Sequence, residues 1–204
     1  MRIVVFISGR GSNLKALLES RNGFDIIHVI SNQASAEGLA IAEAHGIDHS
    51  VITWKDTAKA EAKALKLLHQ LNPDLIVLAG FMRVLSAEFV AQFSHKIINI
   101  HPSLLPLYPG LNTHQRALND KQTIHGATVH FVDQQLDGGQ IISQCHLKIR
   151  ADDTAETLAQ RLLSKEHQLL VTTLEHMANQ SIHWHNDCLY YNDEPLSEPL
   201  LWDI

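Results

Sequence analysis

Apolar runs alternate with helical patterns through the first half of the chain. Five runs have the continuous, largely β-branched character of buried strands, at residues 3–7, 24–30, 49–53, 74–79 and 97–100. The stretches between them have helical spacing or composition, which predicts a helix beginning near residue 13 and others at 36–45, 55–71 and 86–93. This alternation predicts a mostly parallel sheet with helices on both faces.

The second half has a different pattern. Residues 123–133 and 140–149 are rich in strand-forming residues and flank a short loop that contains glycine, which predicts an antiparallel pair. A capping sequence then predicts a long helix at 155–179, and the last residues predict a short hairpin and a loose tail. We therefore predict an α/β fold with a Rossmann-like, doubly wound, mostly parallel sheet, flanking helices and an antiparallel extension in the C-terminal half.

Composition narrows the classes of function. The 204 residues carry a net charge of −6 without a strong basic cluster, which argues against broad nucleic-acid binding. Apolar runs stay well short of the ~18 residues of a membrane helix, and the start has no signal-peptide pattern. A cytoplasmic protein without membrane contact is therefore expected. The positions of Cys145 and Cys188 and the spacing of the fourteen histidines predict neither a disulfide framework nor a metal site.

The fifth predicted strand ends in two polar residues, Asn99 and His101. Two positions apart on a strand, their side chains leave on the same face, at the strand end where open α/β sheets bind ligands. One interpretation is a buried polar pair that holds the following loop by hydrogen bonds. The other is a catalytic pair.

A glycine-rich turn follows the first strand. Backbone N–H groups at the start of the next helix can bind an anion, Gly11 permits close approach of the backbone, and Ser12 or Asn13 can cap the helix. The spacing fits neither the dinucleotide fingerprint nor a Walker A loop. The turn is therefore either a phosphate site or a capped turn without a ligand.

Four more candidates follow, and the first two have two interpretations each. Residues 82–85 follow the fourth strand and either wall a flat ring or pack under the next helix. Asp137 precedes a glycine and is either a local turn acid or a partner of His101. Glu166 lies in the middle of a helix, where a solvated face is the plain interpretation. Residues 109–114 combine glycine, asparagine and proline, which predicts a mobile lid.

Five motifs occur in a specific order, and they cover most of the chain. They are ISGRGSNL at 7–14, LAGFMR at 78–83, NIHPSLLP at 99–106, YPGL at 108–111 and LDGG at 136–139. They resemble those of the phosphoribosylglycinamide formyltransferases, which belong to the 10-formyltetrahydrofolate-dependent formyltransferases. The resemblance extends from residue 1 to about residue 170.

The resemblance implies transfer of a formyl group from 10-formyltetrahydrofolate to the amino group of glycinamide ribonucleotide (GAR), without a metal, in purine synthesis. It implies the catalytic residues Asn99, His101 and Asp137. It implies that GAR is contacted by Gly11, Ser12, Asn13, Leu163, Ser164, Lys165 and Glu166. Within the segment 163–166, Glu166 is the expected direct ligand. It implies contacts to 10-formyltetrahydrofolate at Met82, Arg83, Val84, Leu85, Asn99, Asp133, Gln134, Gln135, Leu136 and Asp137.

The resemblance also bears on organisation. It implies one domain at 1–185, with a nucleotide-phosphate-binding half at 1–100 and a catalytic and folate-binding half at 101–185, followed by a tail at 186–204. It implies a cis peptide bond at Leu105–Pro106. The family often places an arginine near the folate tail at the position of Thr57, so that contact is left unassigned. The expected partners are the two small substrates, in a monomer or homodimer.

The chemistry explains these residue types. Attack of the substrate amine on the formyl carbon gives a tetrahedral centre with a negative oxygen. Asn99 and a protonated His101 can donate to that oxygen, and such donors are worth roughly 3–4 kcal/mol each. A carboxylate beside His101 favours the imidazolium, and Asp137 is the candidate. Either His101 or a water held by Asp137 can carry the transferred proton.

Related functions share these motifs. Formyltetrahydrofolate hydrolase uses water in place of the amine, but carries an extra N-terminal domain, whereas the first strand begins here at residue 2. Methionyl-tRNA formyltransferase has a basic C-terminal domain, whereas this chain ends short and acidic. A non-catalytic folate- or nucleotide-binding module is disfavoured by the intact set of Asn99, His101 and Asp137.

Overall fold

Strand β1 (Arg2–Ile7) is the central strand of the first part of the chain, and only its first residue is exposed. The structure is a computed structural model that describes residues 1–20 and 22–204. Within it the chain divides into two compact units, Met1–Asn99 and Ile100–Ile204. The predicted domain at 1–185 and tail at 186–204 remain predictions.

The first unit is built from parallel strands in the order β5-β4-β1-β2-β3. The strands are β1 (Arg2–Ile7), β2 (Asp25–Ser31), β3 (His49–Val51), β4 (Leu75–Leu78) and β5 (Ile97–His101), of which the last ends in the second unit. The helices are α1 (Ser12–Ser20), α2 (Glu37–Ala44), α3 (Thr57–Leu71) and α4 (Ala87–Ala91). The continuous apolar runs therefore predicted the strands correctly.

The order of these strands creates a switch point. The chain proceeds from β1 to β2 and β3 on one side, and β4 lies on the other side of β1. Ligands of open α/β sheets bind outside the carboxyl ends of the strands at such a point. The loops that leave β1 and β4 meet there, because the Ser8 hydroxyl accepts a hydrogen bond from the Met82 N–H at 2.8 Å.

The second unit contains the predicted antiparallel pair. Its strands are β6 (Ile124–Phe131), β7 (Ile141–Lys148), β8 (Ile182–His185), β9 (Cys188–Tyr191), β10 (Glu194–Pro195) and β11 (Leu200–Leu201). Strands β6 and β7 are antiparallel, β11 runs parallel to β7, and β8, β9 and β10 form a small antiparallel sheet. The helices are α5 (Thr113–Asn119) and α6 (Ala155–Ala178).

Two details of the second unit follow from local chemistry. Helix α6 begins at the predicted cap, where the Thr154 side chain accepts from the Thr157 N–H. A buried hydroxyl pair joins α6 to β7, with 2.6 Å between Ser143 Oγ and Thr173 Oγ1. The Leu105–Pro106 peptide bond is cis, as the family resemblance implied.

The expectation of a loose tail was wrong. Beyond the β8–β9 hairpin, Leu200 and Leu201 pair with Ser143 and Gln144 on β7. The Trp202 ring stacks on His176 with 4.8 Å between ring centroids. Backbone pairing and aromatic burial therefore order residues whose mixed composition gave no periodic signal.

Candidate active site

Strand β5 presents Asn99 and His101, and His101 is only 5% exposed. The Nε2 atom of His101 lies 2.9 Å from the Tyr108 carbonyl oxygen. A carbonyl only accepts, so Nε2 carries a proton and donates it. The ring nitrogen that this carbonyl does not use is Nδ1.

Asp137 faces that nitrogen. Its Oδ2 atom lies 3.4 Å from His101 Nδ1, and both side chains are about nine-tenths buried. The same oxygen accepts a hydrogen bond from the Gly110 N–H at 2.8 Å. Asp137 is thus used at long range, whereas the local turn bond predicted for such a residue is made by Asp133, whose Oδ1 accepts from the Gln135 N–H.

Backbone geometry delivers Asp137 to this position. Its φ is +51°, a left-handed conformation that is uncommon outside glycine. Two residues on, a Cβ atom at Gly139 would lie 2.0 Å from the Phe131 carbonyl oxygen. The LDGG motif is therefore a compact turn in which Gly139 allows the chain to pass against the end of β6.

A third residue, His130 on β6, belongs to this cluster and was missed by sequence reasoning. Its Nδ1–H donates to the Phe131 carbonyl at 2.8 Å, and its Nε2 lies 3.6 Å from Asp137 Oδ1. Burial lowers the pKa of His130, against the opposing effects of that carbonyl and of the Asp137 carboxylate. The available signal was its place on the same strand face as Thr128.

That face of β6 is buried, although its polar residues alternate with apolar ones. Thr128 is fully buried; its hydroxyl donates to the Ser103 carbonyl at 2.6 Å and accepts from the Leu105 N–H at 3.1 Å. Gln144 Nε2 also donates to it. The polar side chains of β6 therefore hold the loop that follows His101.

The glycine turn of the first unit has a packing explanation of its own. A Cβ atom at Gly11, whose φ is +72°, would lie 2.5 Å from the Gly38 Cα atom. The Gly38 N–H also donates to the Gly9 carbonyl. Helix α1 begins at Ser12, and Asn13 is buried. The close approach at Gly11 is thus with α2, so the glycine alone is not a sign of phosphate binding.

The segment after β4 combines both of its predicted roles. Leu85 is buried, as expected for packing, while Met82 and Val84 are 65% and 72% exposed. In the second unit, residues 133–136 are exposed, and Leu136 is 59% exposed. Open apolar side chains of this kind can contact a flat aromatic ring. Thr57, the first residue of α3, is exposed.

The predicted segment at 163–166 lies on α6. The solvated-face interpretation of Glu166 was wrong, because this residue is only 9% exposed. Ser164 donates to the Arg161 carbonyl, and Lys165 donates to the Ile204 carbonyl. Residues 11–13 belong to the first unit and residues 163–166 to the second.

Within residues 1–20 and 22–204, groups of three or more His, Cys, Asp or Glu side chains suited to a metal ion are absent. Helices long and apolar enough to cross a membrane are likewise absent from this part of the chain.

Comparisons with known proteins agree with this geometry. The phosphoribosylglycinamide formyltransferase of Escherichia coli K12 is 37% identical over 203 residues, which cover 96% of both chains. The bovine trifunctional purine biosynthetic protein adenosine-3 is 41% identical over 89% of this chain, which spans only 19% of that protein.

Solved structures give the same result. The phosphoribosylglycinamide formyltransferase of Coxiella burnetii has a TM-score of 0.91 at 40% identity, covering 98% of this chain and 99% of that one. A formyltetrahydrofolate deformylase of Pseudomonas syringae has a TM-score of 0.87 at 27% identity, covering 94% of this chain and 66% of that one. The fold alone therefore does not separate the two reactions.

A family model supplies the assignment. The model described as formyl transferase matches residues 1–174, well over half of the chain. The matched range includes β5, the LDGG turn and the glycine turn after β1. The chain belongs to the formyl transferase family.

Proposed function

We propose that this protein transfers the formyl group of 10-formyltetrahydrofolate to the amino group of GAR, giving formyl-GAR and tetrahydrofolate. The observation that carries the proposal is the buried pair of His101 and Asp137, with 3.4 Å between Nδ1 and Oδ2. Membership of the formyl transferase family and similarity to the E. coli and C. burnetii enzymes support the choice of substrates.

The proposed mechanism uses the three predicted catalytic residues. The GAR amine attacks the formyl carbon, and a negative charge develops on the formyl oxygen. Asn99 and the protonated ring of His101 donate hydrogen bonds to that oxygen, a contribution of roughly 3–4 kcal/mol each in comparable sites. Because Nε2 is held by the Tyr108 carbonyl, Nδ1 is the nitrogen through which His101 acts.

Asp137 faces the nitrogen of this ring that acts on the substrate. The 3.4 Å between Oδ2 and Nδ1 is longer than the 2.7–2.9 Å of a tight charge-assisted hydrogen bond, yet short enough for strong attraction in a buried site. The carboxylate therefore attracts the positive charge that the ring carries when it donates to the formyl oxygen. The proton that leaves the attacking nitrogen passes to the departing folate nitrogen through His101 or through a water held by Asp137.

The binding assignments are part of the same proposal. Gly11, Ser12 and Asn13, with the 163–166 segment, hold GAR, and Glu166 is its direct ligand there. Residues 82–85 and 133–137 contact the reduced folate. Their support is the switch-point position of the first loop and the exposed apolar side chains of Met82, Val84 and Leu136.

One assay tests the proposal. Purified protein is incubated with 10-formyltetrahydrofolate carrying a ¹³C formyl group, with and without GAR, and the products are followed by mass spectrometry. We expect labelled formyl-GAR and tetrahydrofolate only when GAR is present. Labelled formate at the same rate in both samples would overturn the transferase and identify a hydrolase. Folate binding without turnover would identify a binding module.

The hydrolase is the second candidate because the P. syringae deformylase has nearly the same fold. The ¹³C assay decides between them directly, since the acceptor appears in the product. The proposal also includes a cytoplasmic location and a monomer or homodimer. Light scattering of the purified protein measures the second point.

A further inference from the structure

Residues 79–86 connect β4 to α4 without regular secondary structure, and residues 82–86 are the last part of this connection. Their backbone therefore lacks the repeating hydrogen bonds that fix a strand or helix. Met82 and Val84 in this segment have largely exposed apolar side chains. Exposed apolar groups on an irregular segment move unless side chains fix the backbone that carries them.

Two side chains of the first unit hold the ends of this segment. At its start, Ser8 Oγ accepts from the Met82 N–H at 2.8 Å. At its end, the Glu61 carboxylate accepts twice from Ser86: Oε1 from the backbone N–H at 2.7 Å and Oε2 from the hydroxyl at 2.6 Å. Both contacts to Glu61 are in the range of charge-assisted hydrogen bonds.

Glu61 is an unusual residue for its place. It lies on the buried face of α3 beside Ala60 and Ala64 and is only 6% exposed. Burial of a carboxylate is costly unless hydrogen bonds replace its water. Here both oxygens are bonded to one residue, so the cost is offset only while Ser86 stays in place.

The Glu61 contact also orients the next helix. Because the Ser86 hydroxyl gives its hydrogen to Glu61, its lone pairs are free to accept from the Phe89 N–H, at 3.1 Å. Ser86 thereby caps α4. One buried carboxylate thus fixes both the end of the irregular segment and the start of the helix after it.

We propose that Glu61 is a positioning residue for reduced-folate binding, which with Ser8 clamps residues 82–86 in the arrangement that receives the co-substrate. Glu61 acts through Ser86 and does not itself contact the folate. This inference rests on the proposed function, in which residues 82–85 contact the folate. Preorganisation of this kind lowers the cost of ordering a binding loop when the ligand arrives.

Kinetics of three variants test the clamp. In Glu61→Ala, which leaves the Ser86 N–H without its partner, we expect the KM for 10-formyltetrahydrofolate to rise about tenfold. The KM for GAR should change by less than about twofold, because the clamp lies at the folate segment. Glu61→Gln retains an acceptor for the Ser86 N–H and should restore most of the affinity. Asp56→Ala removes the N-cap of the same helix and serves as the control for loss of stability.

A second readout is independent of activity. Hydrogen exchange of the Ser86 and Met82 amides in the free protein should accelerate in Glu61→Ala, with Ser86 affected more, and stay at wild-type rates in Asp56→Ala. A wild-type protein that fails to make formyl-GAR would refute the proposed function, while faster exchange would still establish the clamp. A folded Glu61→Ala variant with unchanged exchange, or with equal changes in both KM values, would overturn this inference.

Discussion

Two histidine clusters in the second unit show how the partner of a buried imidazole determines its use. In one cluster, each histidine faces a different oxygen of the Asp137 carboxylate: His101 Nδ1 lies 3.4 Å from Oδ2, and His130 Nε2 lies 3.6 Å from Oδ1. In the other, His114 Nδ1 and His125 Nε2 are 3.0 Å apart and bonded to each other. In the first cluster both rings face a carboxylate, whereas in the second one ring must donate and the other must accept.

The second cluster is held in its neutral form. Burial, together with repulsion from His114 and His101, lowers the pKa of His125 to about 4. Burial and the charge of His101 also lower the pKa of His114. An imidazole partner thus makes a buried histidine a structural hydrogen-bonding group, whereas the carboxylate beside His101 can stabilise a positive charge that develops on its ring.

Replacing one histidine of each cluster with asparagine should have very different effects on kcat, and the loss at His101 should be the largest effect of any variant considered. His101→Asn removes the proposed donor to the formyl oxygen, and we expect kcat for GAR formylation to fall at least about a hundredfold. His114→Asn retains an amide that can bond to His125 and should keep kcat within about threefold of wild type. Steady-state kinetics at saturating substrates, with circular dichroism to verify folding, make the comparison. Equal losses in both variants would erase the distinction between the clusters.

Acid should break the second cluster. The pKa of His125 is lower in the folded protein than its ordinary 6.5, so between pH 6.5 and about 4 the unfolded chain binds more protons than the folded one. Stability is therefore fully present above pH 6.5 and falls as the pH drops to about 4, by at most about 3 kcal/mol from this residue. Urea unfolding at a series of pH values measures it.

Two variants test whether the pH dependence of the unfolding free energy comes from His125. His125→Asn removes this titrating group and should reduce the pH dependence of the unfolding free energy between pH 4 and 6.5, leaving the part that comes from other buried histidines such as His114 and His130. His146→Asn, at an exposed position on β7, should leave the wild-type dependence unchanged. A wild-type stability that stays constant over this range would contradict the neutral pair.

The sequence predicted the strands and most of the helices because their signals are local. Residues 3–7 form an uninterrupted apolar run, and β1 is a central strand. Asn99 and His101 were selected as a pair because two positions along a strand share a face. Asp137 lies more than thirty residues from His101 in the chain, so local sequence patterns do not pair the two residues. Asp137 was named as the partner of His101 because of the order of the family motifs.

Other features depend on tertiary contacts that one sequence does not encode locally. His130 was missed because alternation of polar and apolar residues predicts an exposed face, whereas both faces of β6 are buried. Glu61 resembles any solvated helix acid until the position of Ser86 is known. The tail is ordered because its strand β11 pairs with β7, which lies more than fifty residues earlier in the chain.

In the proposed mechanism Asp137 makes His101 competent for formyl transfer, and Asp137→Asn removes only the charge of that carboxylate. Asparagine tolerates the left-handed backbone, and Asp193→Asn, at an exposed residue with φ +65°, is the matched control. We predict that kcat of Asp137→Asn falls at least about a hundredfold with an unchanged melting temperature, while the control keeps wild-type kcat. A folded Asp137→Asn enzyme that forms formyl-GAR at the wild-type rate would refute the catalytic role of this carboxylate.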